Sequence, residues 1–249
     1  MSSVTVVTCF YKLNSKHPFE NYNKWIKYFL PNVNCNLVVF TSPDLTNYIL
    51  NHRKNKLNKT VVIYQNFDEL EINQKYSEYW NIQEQIEPNK SCGRNKNCYI
   101  LWNSKLWFMK KAIELNHFGS DKFVWTDIGC LRDQDIINKV LEYPIYEKVT
   151  NGKVDIILIK EIENQRQEYF FEEKHFSGAM FGSDKETIMK FHDLFYKKLD
   201  KFIKQGKFIG CDQQTISSVY NEERELFNTI KPLNKLVDEW FYLWQYYTS

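Results

Sequence analysis

Apolar positions recur along the chain at two different periods. Val4 to Phe10 is a short apolar run rich in β-branched residues, which predicts a strand buried on both faces. From Phe19 to Leu30 the apolar residues Phe19, Tyr22, Trp25, Ile26 and Phe29 recur at three and four, the spacing of an amphipathic helix, and Pro31 stops it. Leu37 to Phe40 predicts a second strand, ending in Thr41-Ser42-Pro43-Asp44, a turn that also starts a helix towards Asn51. Thr60 to Tyr64 predicts a third. Residues 1–65 thus alternate β-α-β-α-β, the order of a parallel sheet with crossover helices.

Phe67 to Asn97 is polar and broken by Glu-Pro and Cys-Gly, and reads as an irregular excursion over the surface. Tyr99 to Leu115 reads as one well-buried helix, since Ile100, Trp102, Leu106, Trp107, Met109 and Ala112 circle most of its surface. Phe123 to Thr126 is a buried strand that ends in Asp127-Ile128-Gly129, and Asp133 to Leu141 has the pattern of a helix. A strand at Val154 to Ile159 and a charged connection at Asn164 to Lys174 precede a small-residue strand from His175 to Ser183. Asp184 to Gln205 is a long amphipathic helix, Gly206 to Gly210 breaks it, and Cys211-Asp212-Gln213-Gln214-Thr215 opens another to Tyr220. The tail from Val237, with Trp240, Phe241, Leu243, Trp244, Tyr246 and Tyr247, is too aromatic for a free end and is expected to pack back on the body. The expected architecture is α/β, a mostly parallel central sheet flanked by helices in one domain over 1–249. Residues 1–132 are expected to form a half with the outline of a nucleotide-binding unit, and 133–249 a second half that carries the aromatic tail.

Composition narrows the partners. A chain of 249 residues that is 43% hydrophobic and 16% aromatic can bury a large core, and no apolar run approaches the roughly 20 residues of a membrane span. The opening Met-Ser-Ser-Val runs straight into a strand without a basic segment and a long apolar stretch, so no secretion signal is read there. Net charge is only +2, and the five arginines (Arg53, Arg94, Arg132, Arg166, Arg224) make no dense basic stripe, which argues against nucleic acid. The six cysteines are scattered, mostly in apolar segments, as in a reducing compartment. Cys92 and Cys98 alone are close, at a spacing unlike the usual zinc pair.

Candidate chemistry gathers around Asp127. Ligands of open α/β sheets bind beyond the carboxyl ends of the strands, where a lone carboxylate meets a metal or a sugar. Gly129 permits close approach of backbone or ligand. The alternative, Asp127 as a helix cap, is weakened by Asp133, which stands nearer to the helix. Lys105 is either a snorkelling lysine or a cation facing the same crevice, ready for a phosphate or carboxylate. Arg132 is a phosphate contact or an ordinary solvated arginine, and His175 a structural histidine or a metal ligand. No Gly-x-Gly-x-x-Gly or Walker loop is present, so a phosphate would be held by other means. Metal-dependent transfer from a nucleotide sugar needs a carboxylate that fixes a divalent cation on the diphosphate, a close-packed floor under the sugar, and a carboxylate near the anomeric carbon. Asp127, the segment around Ser177 and Gly178, and Asp212, as base or sugar anchor, match these needs in turn.

The same segments resemble glycosyltransferases of the GT-A fold, and most closely the HtrL/YibB-like family of bacterial and viral proteins. The resemblance runs over most of the chain, through Val7-Thr8-Cys9-Phe10-Tyr11, Pro18 to Trp25, Trp102-Asn103-Ser104-Lys105, Phe123 to Arg132, Ser177-Gly178 and Asp212-Gln213. It implies a hexosyltransferase-like enzyme that carries a sugar from a nucleoside-diphosphate donor of UDP type, with Mn or Mg, to a glycan or other hydroxyl acceptor. Asp127 then belongs to an Asp-x-Asp motif that binds metal and sugar nucleotide, and Phe10, Tyr11 and Thr41 hold base and ribose. Lys105, Gly129 and Arg132 fall on the donor side, while Asp212-Gln213 with His175, Ser177 and Gly178 line the sugar or acceptor. Two departures stand out: Gly129 occupies the place of the second carboxylate, and no histidine follows His192. The first keeps open a protein that binds nucleotide sugar without turning it over. A nucleotidyltransferase is disfavoured, because Tyr11-Lys12-Leu13-Asn14 is not a glycine-rich basic loop. Asp212 as base implies inversion, whereas the Asp-Gln helix start resembles retaining families. The expected compartment is the cytoplasm of the source cell or infected host.

Overall fold

β1 (Val4–Phe10) is buried along its whole length, as a β-branched run flanked by strands on both sides should be. It pairs in parallel with β2 (Asn36–Thr41) on one side and β4 (Lys122–Thr126) on the other, and β3 (Thr60–Tyr64) adds in parallel beyond β2. Past β4 the direction changes. β6 (Phe176–Asp184) is antiparallel to β4 and to β5 (Val154–Leu158), and β7 (Phe227–Ile230) is parallel to β5. The sheet order is β3-β2-β1-β4-β6-β5-β7 in a single mostly parallel α/β domain. The computed structural model describes residues 3–14, 16–88, 93–139, 141–171, 174–233 and 238–248.

Side chains of successive strand residues point to opposite faces, and the two faces fill two cores. Val6 and Phe10 of β1, with Leu37 and Val39 of β2, pack under α1 (Phe19–Phe29), whose buried stripe is Trp25, Ile26 and Phe29. Val7, Cys9 and Tyr11, with Val38 and Phe40, pack under α6 (Lys105–Leu115) and α7 (Lys185–Lys204). Asp184 caps α7 by accepting from the Thr187 N–H at 2.9 Å. α8 (Asp212–Glu222) lies against β6 and α7. Among the described residues no helix is long and apolar enough to cross a membrane.

Three expectations are corrected. The stretch after β3 is not an irregular excursion: it folds into α3 (Glu71–Lys75) and α4 (Ser77–Gln85), anchored by buried Leu70, Ile72, Tyr76 and Trp80. Trp80 donates to the Ile72 carbonyl at 3.1 Å and Tyr76 to Asp200 at 2.5 Å, so a few large residues hold a polar sequence down. The single helix expected over Tyr99 to Leu115 is two, α5 (Lys96–Asn103) and α6, which meet at Ser104. There Ser104 and Asn103 donate to the carbonyls of Ile100 and Tyr99, the local back-bonding by which polar side chains compete with a helix. Gln134–Lys139 forms 3-10 turns rather than an α-helix. The expected close pair Cys92 and Cys98 cannot be compared, since Cys92 lies outside the described residues, as does Val237.

Two buried polar anchors carry the outer layers. Arg53, after α2 (Thr46–His52), is fully buried and donates to the carbonyls of Leu30, Val33 and Cys35 at 2.9, 2.7 and 3.0 Å, tying the α1–β2 connection to the start of β3. The aromatic tail packs back as expected, with Phe241, Leu243, Trp244 and Tyr247 buried. Its key bond runs from the Tyr247 hydroxyl to Asp155 at 2.9 Å, beside Gly182, where a Cβ would lie 2.8 Å from that hydroxyl. Burial pushes the Asp155 carboxyl above its ordinary value, and the Thr150 N–H and Asn228 amide oppose the shift from 2.8 and 2.7 Å. Arg53→Met strands three carbonyls and is expected to cost about 3 kcal/mol or more in urea unfolding. Tyr247→Phe removes one donor from a buried carboxyl and is expected to cost about 2 kcal/mol, a drop of roughly 4–8 °C in calorimetric Tm.

Candidate active site

β1 and β4 lie side by side, and the sheet grows from them in opposite senses, towards β2 and β3 on one flank and β6, β5 and β7 on the other. A crevice opens beyond their carboxyl ends, the usual ligand position in such sheets. It is a pocket of about 300 Å³, with Phe10 and Tyr11 from the end of β1 and Asp127 to Gly129 from the end of β4 in its wall.

Asp127 follows β4 directly, and its N–H donates to the Ala179 carbonyl of β6 at 2.9 Å. Its side chain caps no helix. One oxygen accepts from the Trp125 indole at 2.8 Å, and that indole is fixed in a stack between Phe108 and Phe181, at centroid distances of 5.9 and 6.5 Å. The other partner is Lys105, the first residue of α6. Its ammonium lies 3.1 Å from Asp127, 3.1 Å from Asp212 and 2.8 Å from the Gly178 carbonyl. The helix break at Ser104 starts α6 here, under the pocket floor. The Lys105 side chain is only 7% exposed, whereas Asp127 keeps 32% of its side chain open to the pocket.

Burial alone would lower the proton affinity of Lys105, but Asp127 and Asp212 outweigh it and hold the ammonium above its ordinary value. Burial likewise raises Asp127, against the pull of Lys105 and the Trp125 N–H. Asp212 begins α8, accepts from the Gln213 N–H at 3.0 Å, and lies against Gly178 so closely that a Cβ there would stand 2.5 Å from its carboxylate. Gly178 is therefore a packing requirement of the carboxylate cluster. A buried ionic cluster is costly to maintain, and its place beside an open pocket makes it the candidate functional site. Three cysteines, Cys9, Cys98 and Cys211, reach the same wall; burial pushes the Cys211 thiol up to about 12 and Cys9 higher still, so neither of those two is a ready thiolate.

The expected site residues divide. Phe10, Tyr11, Lys105, Asp127, Gly129, Arg132, Gly178, Asp212 and Gln213 all line the pocket. Tyr11 is buried against Phe67 and Phe108 with a hydroxyl that has no hydrogen-bond partner, and burial keeps that phenol protonated. Gln213 is spent on structure, donating to the Phe176 carbonyl at 2.6 Å. Thr41 is fully buried and donates to the Phe10 carbonyl at 2.6 Å, binding the ends of β1 and β2 together rather than facing the pocket. Ser177 donates to the Trp240 carbonyl at 2.7 Å, and His175 packs edge-on to Phe170 with its Nδ1 2.9 Å from the Lys160 carbonyl; neither lines the pocket. Lys16, Arg94, Trp102, Lys174 and Trp240, to which the sequence reading gave no site role, also come to the wall, Trp102 from α5 and the others from loops and the tail. Only Trp240 carried a signal, the surplus of aromatic residues in the tail; a lone Lys or Arg in a polar segment leaves none.

A divalent ion at Asp127 meets an unsuitable donor set. The second position of the expected motif is Gly129, where a Cβ would stand 2.8 Å from the Trp25 ring, so a carboxylate has no room. Among the described residues no group of three His, Cys, Asp or Glu side chains is arranged to hold a metal. The carboxylates that do converge, Asp127 and Asp212, already share the Lys105 ammonium.

The fold matches that of mouse xyloside xylosyltransferase 1, apo form, with a TM-score of 0.50 at 11% sequence identity, over 91% of this chain and 84% of that one. No curated protein matches the sequence. The model of a family of bacterial proteins of unknown function, HtrL_YibB, matches residues 2–249, and the chain belongs to that family.

Proposed function

We propose that the protein is a glycosyltransferase that moves a sugar from a nucleoside-diphosphate donor, of UDP type, to a hydroxyl group of a glycan or other acceptor. The observation that carries this reading is the buried Lys105–Asp127–Asp212 cluster under a pocket at the carboxyl ends of β1 and β4. The unpartnered Tyr11 hydroxyl supports contact with the base or ribose, since a buried donor without an acceptor costs about 1–3 kcal/mol that a ligand can return. Arg132 supports contact with the diphosphate, because its guanidinium is held over the Trp25 and Phe241 rings at 4.4 and 4.7 Å. In this reading the half-open carboxylate of Asp127 meets donor hydroxyls, and Asp212, only 5% exposed, orients Lys105 and the pocket floor. A nucleotide-sugar-binding protein without turnover is the second reading, favoured by the occupied carboxylates, and product formation separates the two.

Thermal melting against a panel of nucleoside diphosphates tests the donor class. A ligand at a hundred times its Kd is expected to add roughly 2.7 kcal/mol, or about 5–10 °C for a chain of this size. Asp127→Asn is expected to lower transfer by about 10²–10³, measured as released nucleoside diphosphate, the scale of losing one electrostatic group of a site. Full activity of that variant would remove Asp127 from the mechanism. Asp212, buried and ion-paired to Lys105, is poorly placed as the base of an inverting reaction, so the product is expected to keep the anomeric configuration of the donor by proton NMR. An inverted product would make Asp212 a base after all.

A further inference from the structure

Departure of a nucleoside diphosphate leaves negative charge on the β-phosphate, which a transferase stabilises with cations, hydrogen-bond donors or a helix N-terminus. The pocket contains cations in its own side chains. An ammonium has three N–H donors; Lys105 donates to the Gly178 carbonyl at 2.8 Å and to the Asp127 carboxylate, and forms an ion pair with the Asp212 carboxylate at 3.1 Å. A fixed cation therefore sits between two carboxylates that would otherwise be paired ligands, while the third ligand position, Gly129, is closed by Trp25. Around the same pocket stand Lys16, Arg94, Arg132 and Lys174. With Lys105 these are five cationic side chains against three acids, Asp127, Asp212 and Asp238; Arg94 is paired with Glu87 at 3.7 Å, which leaves a surplus of one positive charge. Arg132 is the best placed of them, its Nε donating to the Gly129 carbonyl at 3.2 Å and its plane held between two rings, which leaves the outer guanidinium N–H groups for an anion.

Resting on the nucleotide-sugar reading above, we infer that Lys105 stands in the place of the divalent cation and that Arg132 receives the diphosphate, so that the donor binds and reacts without a metal. In that step the bond from the anomeric carbon to the β-phosphate oxygen breaks with its electron pair going to the oxygen. The acceptor hydroxyl oxygen bonds to the anomeric carbon, and its proton is released to solvent with the nucleoside diphosphate. No redox partner is needed.

Titration of Mn into metal-stripped protein, followed by the loss of the free-ion paramagnetic resonance signal, is the deciding measurement. The natural chain is expected to leave Mn free at millimolar concentration, whereas Lys105→Ala, which frees two converging carboxylates, is expected to gain a site. One Mn bound per natural chain and lost in Asp127→Asn overturns the inference. Melting with uridine diphosphate in EDTA and in Mn gives a second readout that does not depend on Lys105→Ala folding. The two shifts are expected to be equal, and Arg132→Gln is expected to weaken nucleotide binding in EDTA by about tenfold or more, the worth of a charge-assisted hydrogen bond. A shift that requires Mn overturns the metal-free inference and leaves the transferase reading standing. No shift with any nucleoside diphosphate under either condition overturns both.

Discussion

The arrangement of the pocket depends on one ammonium group. Lys105 is shared by the carboxylates of Asp127 and Asp212 and by a backbone carbonyl of β6, so a single buried charge ties α6, the end of β4, the start of α8 and the middle of the sheet. Removing either carboxylate from such a cluster leaves the lysine partly uncompensated, and removing the lysine leaves two like charges facing each other. The surrounding packing serves this geometry. Gly178 gives way to Asp212, the Trp125 stack aims an indole N–H at Asp127, and the break at Ser104 starts a new helix where the lysine must stand.

Much of this was legible in the residues. The alternation of apolar runs and amphipathic spacing up to Tyr64 fixes three parallel strands, because a strand covered on both faces and a helix covered on one leave different periods in the sequence. Asp127 was recognisable as an abrupt polar stop after an apolar strand, and Lys105 as a charge within an apolar helix. What escaped has physical reasons. α3 and α4 are polar helices held by Tyr76 and Trp80, and a few anchors in a polar segment make no visible period. The helix break arises from side-chain competition at Asn103 and Ser104, which acts over one turn and leaves the apolar pattern intact. Trp102, Lys174 and Trp240 meet only after folding, from segments far apart in the chain. Thr41 and Ser177 show the converse: a polar residue at a strand end can serve a neighbouring carbonyl as readily as a ligand.

Membership of the HtrL_YibB family and likeness to a xylosyltransferase fold concern different levels of the molecule. The fold explains why a pocket exists at the ends of β1 and β4. It does not say what the pocket binds, since one fold carries many chemistries and the site residues decide among them. Here those residues are a buried cation between two acids, a phenol without a partner, and an arginine spread between aromatic rings.

Gly129 and Trp25 also constrain how such a site can change over time. An aspartate at 129 would drive its Cβ into the Trp25 ring, and shrinking Trp25 first would open a void and remove one face of the Arg132 stack. Each single step is penalised before the pair can be exchanged. The two positions are therefore physically coupled, and an acidic side chain at 129 requires a rearranged or smaller residue at 25.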